Sequence, residues 1–101
     1  MLIANINGVN IHYKDEGKSR APVIAFANSL GSDLRLWDKV VDQLKNDFRI
    51  IRYDKRGHGL SDTGNEKCTI KMLADDLAAL LNYLKVDQAI ICGISVGGMI
   101  A

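Results

Sequence analysis

This sequence predicts an α/β fold: a mostly parallel sheet with helices on both faces and an antiparallel hairpin at the N-terminus. Three short, nearly all-apolar runs, PVIAFAN, FRIIRY and AIICGI, have the composition of strands covered on both sides. Between them lie two segments whose apolar residues recur at helical spacing. Alternating strands and helices call for crossover connections and a parallel sheet with a helix layer on each face.

The elements follow in chain order. LIANI and VNIHY flank Asn7-Gly8, a pair that takes the positive-φ turn matching strand twist, so residues 2–13 read as a hairpin. Residues 15–20 are polar and read as a loop. PVIAFAN is the next strand. Leu34, Trp37, Val40, Val41 and Leu44 then share one face of a helix. FRIIRY is a strand, and residues 54–67 form a polar, glycine-bearing loop. Thr69 is placed to cap a helix whose Leu73, Leu77, Leu80, Leu81 and Leu84 line one side. AIICGI is the last strand, and VGGMIA begins a further helix.

Composition narrows the function classes. The chain has 101 residues, 48% hydrophobic and 25% charged, ordinary for a globular domain. Thirteen basic against twelve acidic side chains leave a formal charge of +1, which offers no electrostatic pull toward nucleic acid or an anionic membrane. No stretch reaches the roughly 18 apolar residues of a membrane span. The N-terminus meets Asn and Gly too early for a signal peptide. Cys68 and Cys92, one in a polar loop and one in an apolar strand, read as free thiols of a reducing, cytoplasmic compartment.

Gly93-Ile94-Ser95-Val96-Gly97 is the motif that carries chemistry. A strand turning sharply into a helix can hold its turn residue in a strained conformation, with the side chain above the sheet edge. Positions two before and two after it then lie so close that a Cβ would clash. The hydroxyl is thereby presented at a helix N-terminus, where backbone N–H groups can stabilise an oxyanion. Ser95 is the candidate nucleophile. A dinucleotide-binding turn is the competing reading, but glycines 93, 97 and 98 lack G-x-G-x-x-G spacing and follow the last strand rather than the first.

Two further segments join this motif. FANSLGSD leaves an apolar strand into a glycine-bearing loop, and RYDKRGHGLSD follows the next strand. With Asn28-Ser29-Leu30-Gly31 and the following SDLRLWD, residues 53–59 with Ser61, and residues 93–98, the chain resembles the N-terminal part of the α/β-hydrolase superfamily. Within it the chain is most similar to the 3-oxoadipate enol-lactonases (β-ketoadipate enol-lactone hydrolases). The resemblance spans essentially all 101 residues. NSLGSDLRLWD discriminates best, because many relatives carry His-Gly where this chain has Asn28-Ser29.

The resemblance implies that Ser95 is the nucleophile and that the backbone N–H groups of Leu30 and Val96 form the oxyanion hole. It implies hydrolysis of a small-molecule carboxylic ester or lactone, namely 3-oxoadipate enol-lactone in aromatic-compound catabolism, without cofactor or metal. It also implies that residues 54–61 buttress the site without doing chemistry. Other esterases, thioesterases and carbon–carbon bond hydrolases of the superfamily are alternatives, as is a non-catalytic binding module. A haloalkane dehalogenase is disfavoured, because that chemistry resembles this fold with Asp at the nucleophile position. Arg35 and Arg56 are the cations expected to meet a substrate carboxylate.

Asp54, His58 and Ser61 form a tempting trio, but a triad needs the imidazole to touch both partners in fixed geometry, and a loop-stabilising network is the expectation. His12 is expected on the sheet surface or an edge, Trp37 in the core, and Asp75 and Asp76 as solvated charges. In this fold the order along the chain is Ser, acid, His, yet His12 and His58 both precede Ser95. Residues 1–101 are therefore expected to be the N-terminal segment of a single domain, truncated just after the elbow and inactive alone. The missing half would come as a separate chain, or the exposed AIICGI edge would drive self-association.

Overall fold

The structure, a computed structural model, describes residues 2–27, 33–56, 61, 69–93 and 100. Strands β1 (Leu2–Ile6), β2 (Val9–Gly17), β3 (Val23–Ala27), β4 (Arg49–Tyr53) and β5 (Ile90–Gly93) form one sheet in the order β1-β2-β4-β3-β5 among the described residues. β2 pairs antiparallel with β1 and β4, whereas β3 is parallel to both β4 and β5. The predicted α/β architecture, with its antiparallel N-terminal hairpin, is the one observed.

The turn of that hairpin behaves as its residues dictate. Asn7 (φ 50°) and Gly8 (φ 83°) both take positive φ, joining strands whose register starts at Ile6↔Val9. β2 then runs further than expected, through Asp15, Glu16 and Gly17, which pair with Ile51, Ile50 and Arg49. Asp and Glu disfavour strands intrinsically, but here they meet cations. Arg49 forks onto Asp15 at 2.9 and 2.6 Å, and Arg52 reaches Glu16 at 2.9 Å.

Gly17 closes the strand at φ +87°, where an added Cβ would lie 2.3 Å from the Phe48 carbonyl oxygen and 2.9 Å from that of Lys45. Main-chain atoms of a packed turn cannot retreat. Gly17→Ala is therefore expected to destabilise by about 2–3 kcal/mol, against roughly 1 kcal/mol for Gly8→Ala, which has a similar φ but open space. Urea denaturation midpoints of the two variants check the contrast.

Each face of the sheet has its own helix. On one, Ile11, Tyr13, Ala25, Ile51 and Tyr53 pack with Leu73, Leu77 and Leu80 of α2 (Ile70–Tyr83). On the other, Ile24, Phe26 and Ile50 meet Trp37 and Val41. The Phe26 and Trp37 rings lie 4.6 Å apart, so Trp37 is core, as expected. The segment leading there is a short 3-10 helix (Leu34–Trp37) that runs into α1 (Asp38–Leu44). Val40, placed on the buried face by periodicity, is 40% exposed. The 3-10 turn advances each residue further round the axis than an α-turn does, which shifts the buried stripe.

Thr69 caps α2, its Oγ1 accepting the Met72 N–H at 3.1 Å. The helix ends in a Schellman pattern: Lys85 takes φ 58°, its N–H reaches the Asn82 carbonyl, and the Val86 N–H reaches that of Leu81. Among the described residues β5 is the outermost strand beside β3, with Ile90 58% exposed and Cys92 an exposed free thiol. No helix of the described residues is long and apolar enough to cross a membrane.

Candidate active site

Sheet topology gathers the three motif segments at one end. Ala27 ends β3 and Gly93 ends β5, and the two are register partners in parallel strands. β4, parallel to β3 on its other side, ends at Tyr53, directly before Asp54. The segments carrying Leu30, Asp54 and Ser95 therefore all leave the sheet at its carboxyl end, where open α/β sheets bind their ligands. Leu30, Ser95 and Val96 themselves lie outside the described residues, as do His58 and Cys68. Ile100 is helical and buried.

Around that end lies a buried polar network. Asp54 donates its backbone N–H to the His12 carbonyl at 2.9 Å. Its carboxylate spans two elements: Oδ1 accepts the Leu34 N–H at 2.8 Å, and Oδ2 lies 2.7 Å from His12 Nδ1. A carboxylate only accepts, so the Nδ1 proton sits on the imidazole. Ser61 Oγ accepts the His12 backbone N–H at 2.9 Å and donates to the Asp54 carbonyl. Arg52 completes the cluster, donating to the Leu34 carbonyl at 3.0 Å and pairing with Asp38.

Asp54 and Ser61 thus meet in one network with His12; His58, the third residue of the expected network, lies outside the described residues. Asp, His and Ser do meet here, but the histidine is His12, and Ser61 bonds its backbone rather than its ring. Among the described residues Ser61 touches no imidazole nitrogen, so His12, Asp54 and Ser61 do not form a triad. His12 was expected at the sheet surface or an edge, and the structure corrects this. β2 lies between β1 and β4, so Ile11, His12 and Tyr13 are all buried. Charged DEG at the end of β2 hid the fact that the strand continues far enough to gain a second neighbour.

Asp76 requires a second correction. Expected as a solvated charge, it is 1% exposed. Arg56 forks onto it, Nε to Oδ2 at 2.8 Å and Nη2 to Oδ1 at 3.0 Å, and Asn7 donates to Oδ1 at 3.0 Å. The hairpin turn, the segment after β4 and α2 are thereby pinned at one point. A signal was present: Asp76 stands three residues after Leu73 and four before Leu80, on the apolar stripe itself. Asp75 is exposed, as expected. Burial, with the Asp76 charge adding to it, pushes the neighbouring Tyr53 hydroxyl far above its ordinary range.

The same fork removes Arg56 from the cations expected to meet a substrate, since its guanidinium faces inward onto Asp76. Arg35 is exposed and forks onto Asp33, its hydrogen bonds holding that carboxyl below the usual range. Among the described residues no group of three His, Cys, Asp or Glu side chains is arranged to hold a metal.

Comparison with known proteins places this geometry in context. Residues 22–101 match the family model described as alpha/beta hydrolase fold. Over all 101 residues the chain is 40% identical to 3-oxoadipate enol-lactonase 1 of Acinetobacter baylyi, covering 38% of that protein. It is also 40% identical, over 93 residues, to a bifunctional esterase/perhydrolase of Acinetobacter calcoaceticus, covering 91% of this chain and 34% of that one. The crystal structure of the enol-lactonase from Burkholderia xenovorans superposes with a TM-score of 0.94 at 40% identity, over 98% of this chain and 39% of the other. The chain thus spans well under half the length of the relatives it matches.

Proposed function

This chain belongs to the α/β-hydrolase fold family, and from that premise we propose that the whole protein is a serine hydrolase of a carboxylic ester or lactone. The observation that carries the reading is the pairing of Ala27 with Gly93, which starts the Leu30 and Ser95 segments side by side at the carboxyl end of the sheet. Ser95 attacks the carbonyl carbon, and the carbonyl π-pair moves onto oxygen. The Leu30 and Val96 N–H groups receive that oxyanion. The proton leaving the Ser95 hydroxyl passes to a general base and on to the ring oxygen that collapse expels, and water hydrolyses the acyl-enzyme that remains, returning a proton to Ser95.

The general base is proposed to lie in the part of the protein that its longer relatives have and these 101 residues do not span. His12 is committed to Asp54. The substrate proposed is 3-oxoadipate enol-lactone, supported by the enol-lactonase relatives at 40% identity. A wider ester specificity has its own support, since the esterase/perhydrolase relative is equally identical.

The test treats the whole protein with a fluorophosphonate and locates the adduct by peptide mass. A single adduct on the peptide holding Ser95 is expected; an adduct elsewhere, or none, refutes the serine mechanism. Turnover of the enol-lactone and of p-nitrophenyl acetate then separates the substrates. A kcat/KM at least about a hundredfold higher for the lactone supports the lactonase reading, because specific contacts of a few kcal/mol are what such a ratio requires.

A further inference from the structure

His12 takes no part in the chemistry above, yet it is a buried histidine bonded to a carboxylate that holds the backbone at Leu34. The two side chains are 10% and 3% exposed. Shielded from water, their 2.7 Å hydrogen bond is stronger than it would be at the surface, and it sets the rotation of the carboxylate. That rotation matters because the other oxygen holds the Leu34 N–H at 2.8 Å. The Leu34 carbonyl is held in turn by Arg52 at 3.0 Å. Both polar groups of one backbone residue are thus fixed by side chains from β4 and the position after it. Leu34 opens the 3-10 helix and follows the segment whose Leu30 N–H is the proposed oxyanion donor.

We propose that His12 is a positioning residue for that donor: by orienting Asp54, it fixes the backbone at Leu34, four residues after it in the chain. This rests on the reading of Leu30 as an oxyanion donor. An oxyanion donor acts on charge that develops only in the transition state, so displacing it lowers kcat more than it raises KM. Histidine suits the role because the imidazole spans the gap to a neighbouring strand's end and donates from a rigid ring.

The experiment compares His12→Leu and His12→Asn with wild type in the full protein. Leu keeps bulk and removes the donor; Asn keeps an amide N–H near the place of Nδ1. For His12→Leu, kcat falls by about tenfold or more while KM stays within about threefold, since small misplacements of catalytic groups cost one to two orders of magnitude. His12→Asn restores kcat to within about threefold of wild type. Hydrogen exchange at the Leu34 amide quickens by about tenfold in the Leu variant and not in the Asn variant.

A Leu variant with wild-type kcat, or with unchanged exchange at Leu34, overturns the inference. So does an Asn variant as impaired as Leu. Should His12→Leu not fold, His12→Gln, whose amide overshoots the Nδ1 position, carries the same expectations. If wild type neither labels nor turns over ester, the serine-hydrolase reading falls, while exchange at Leu34 still decides whether His12 holds that amide.

Discussion

Replacing Ser95 by alanine is expected to lower kcat for an activated ester by about 10⁴-fold or more in the whole protein, with folding unchanged. The magnitude follows from the role proposed for the hydroxyl. Without it no acyl-enzyme forms, and the remaining donors only polarise a carbonyl that water must attack directly. The proposed oxyanion donors, Leu30 and Val96, would act through backbone N–H groups that Leu30→Ala and Val96→Ala retain, so an alanine scan of the site is expected to fall almost wholly on one residue. Steady-state kinetics with p-nitrophenyl acetate, beside circular dichroism of the variant, reads the effect. A loss of less than about a hundredfold would be too small for a covalent nucleophile and would move that role elsewhere.

Asp76→Ala carries the largest expected effect on stability, a loss of about 3–5 kcal/mol. The Arg56 guanidinium, 5% exposed beside Asp76, loses in that variant the carboxylate that both its Nε and Nη2 address. Asn7 loses its acceptor as well. The two halves of the pair together tell more than either alone. A buried ion pair offsets its own desolvation, so a double Arg56→Met, Asp76→Leu variant is expected to recover most of the loss. Guanidinium denaturation of the single and double variants measures both. A single variant within about 1 kcal/mol of wild type would mean that water reaches Arg56 and that the pair is effectively at the surface.

Much of the architecture was legible because it is set by local chemistry. Asn7-Gly8 determines a hairpin turn whatever surrounds it. The unbroken apolar runs of β3 and β4 already require cover on both faces, and Thr69 caps α2 through a bond to its own helix.

Reading failed where a charge's partner is distant in the chain. His12 and Asp54 are 42 residues apart, Asp54 and Leu34 20, and Asn7 and Asp76 69. Helical position alone put Asp76 on the apolar stripe, but only Arg56 and Asn7 make burial there affordable. A strand ending in Asp-Glu-Gly reads as a loop until Arg49 and Arg52 arrive from β4 to neutralise it.

By itself, then, the sequence determined the α/β class and the order and hand-off of its elements, because each depends on residues a few positions apart. The tertiary structure alone decided which charges are buried and what His12 touches. The free energy of a buried polar group is set by its partners, and the fold chooses those from remote parts of the chain.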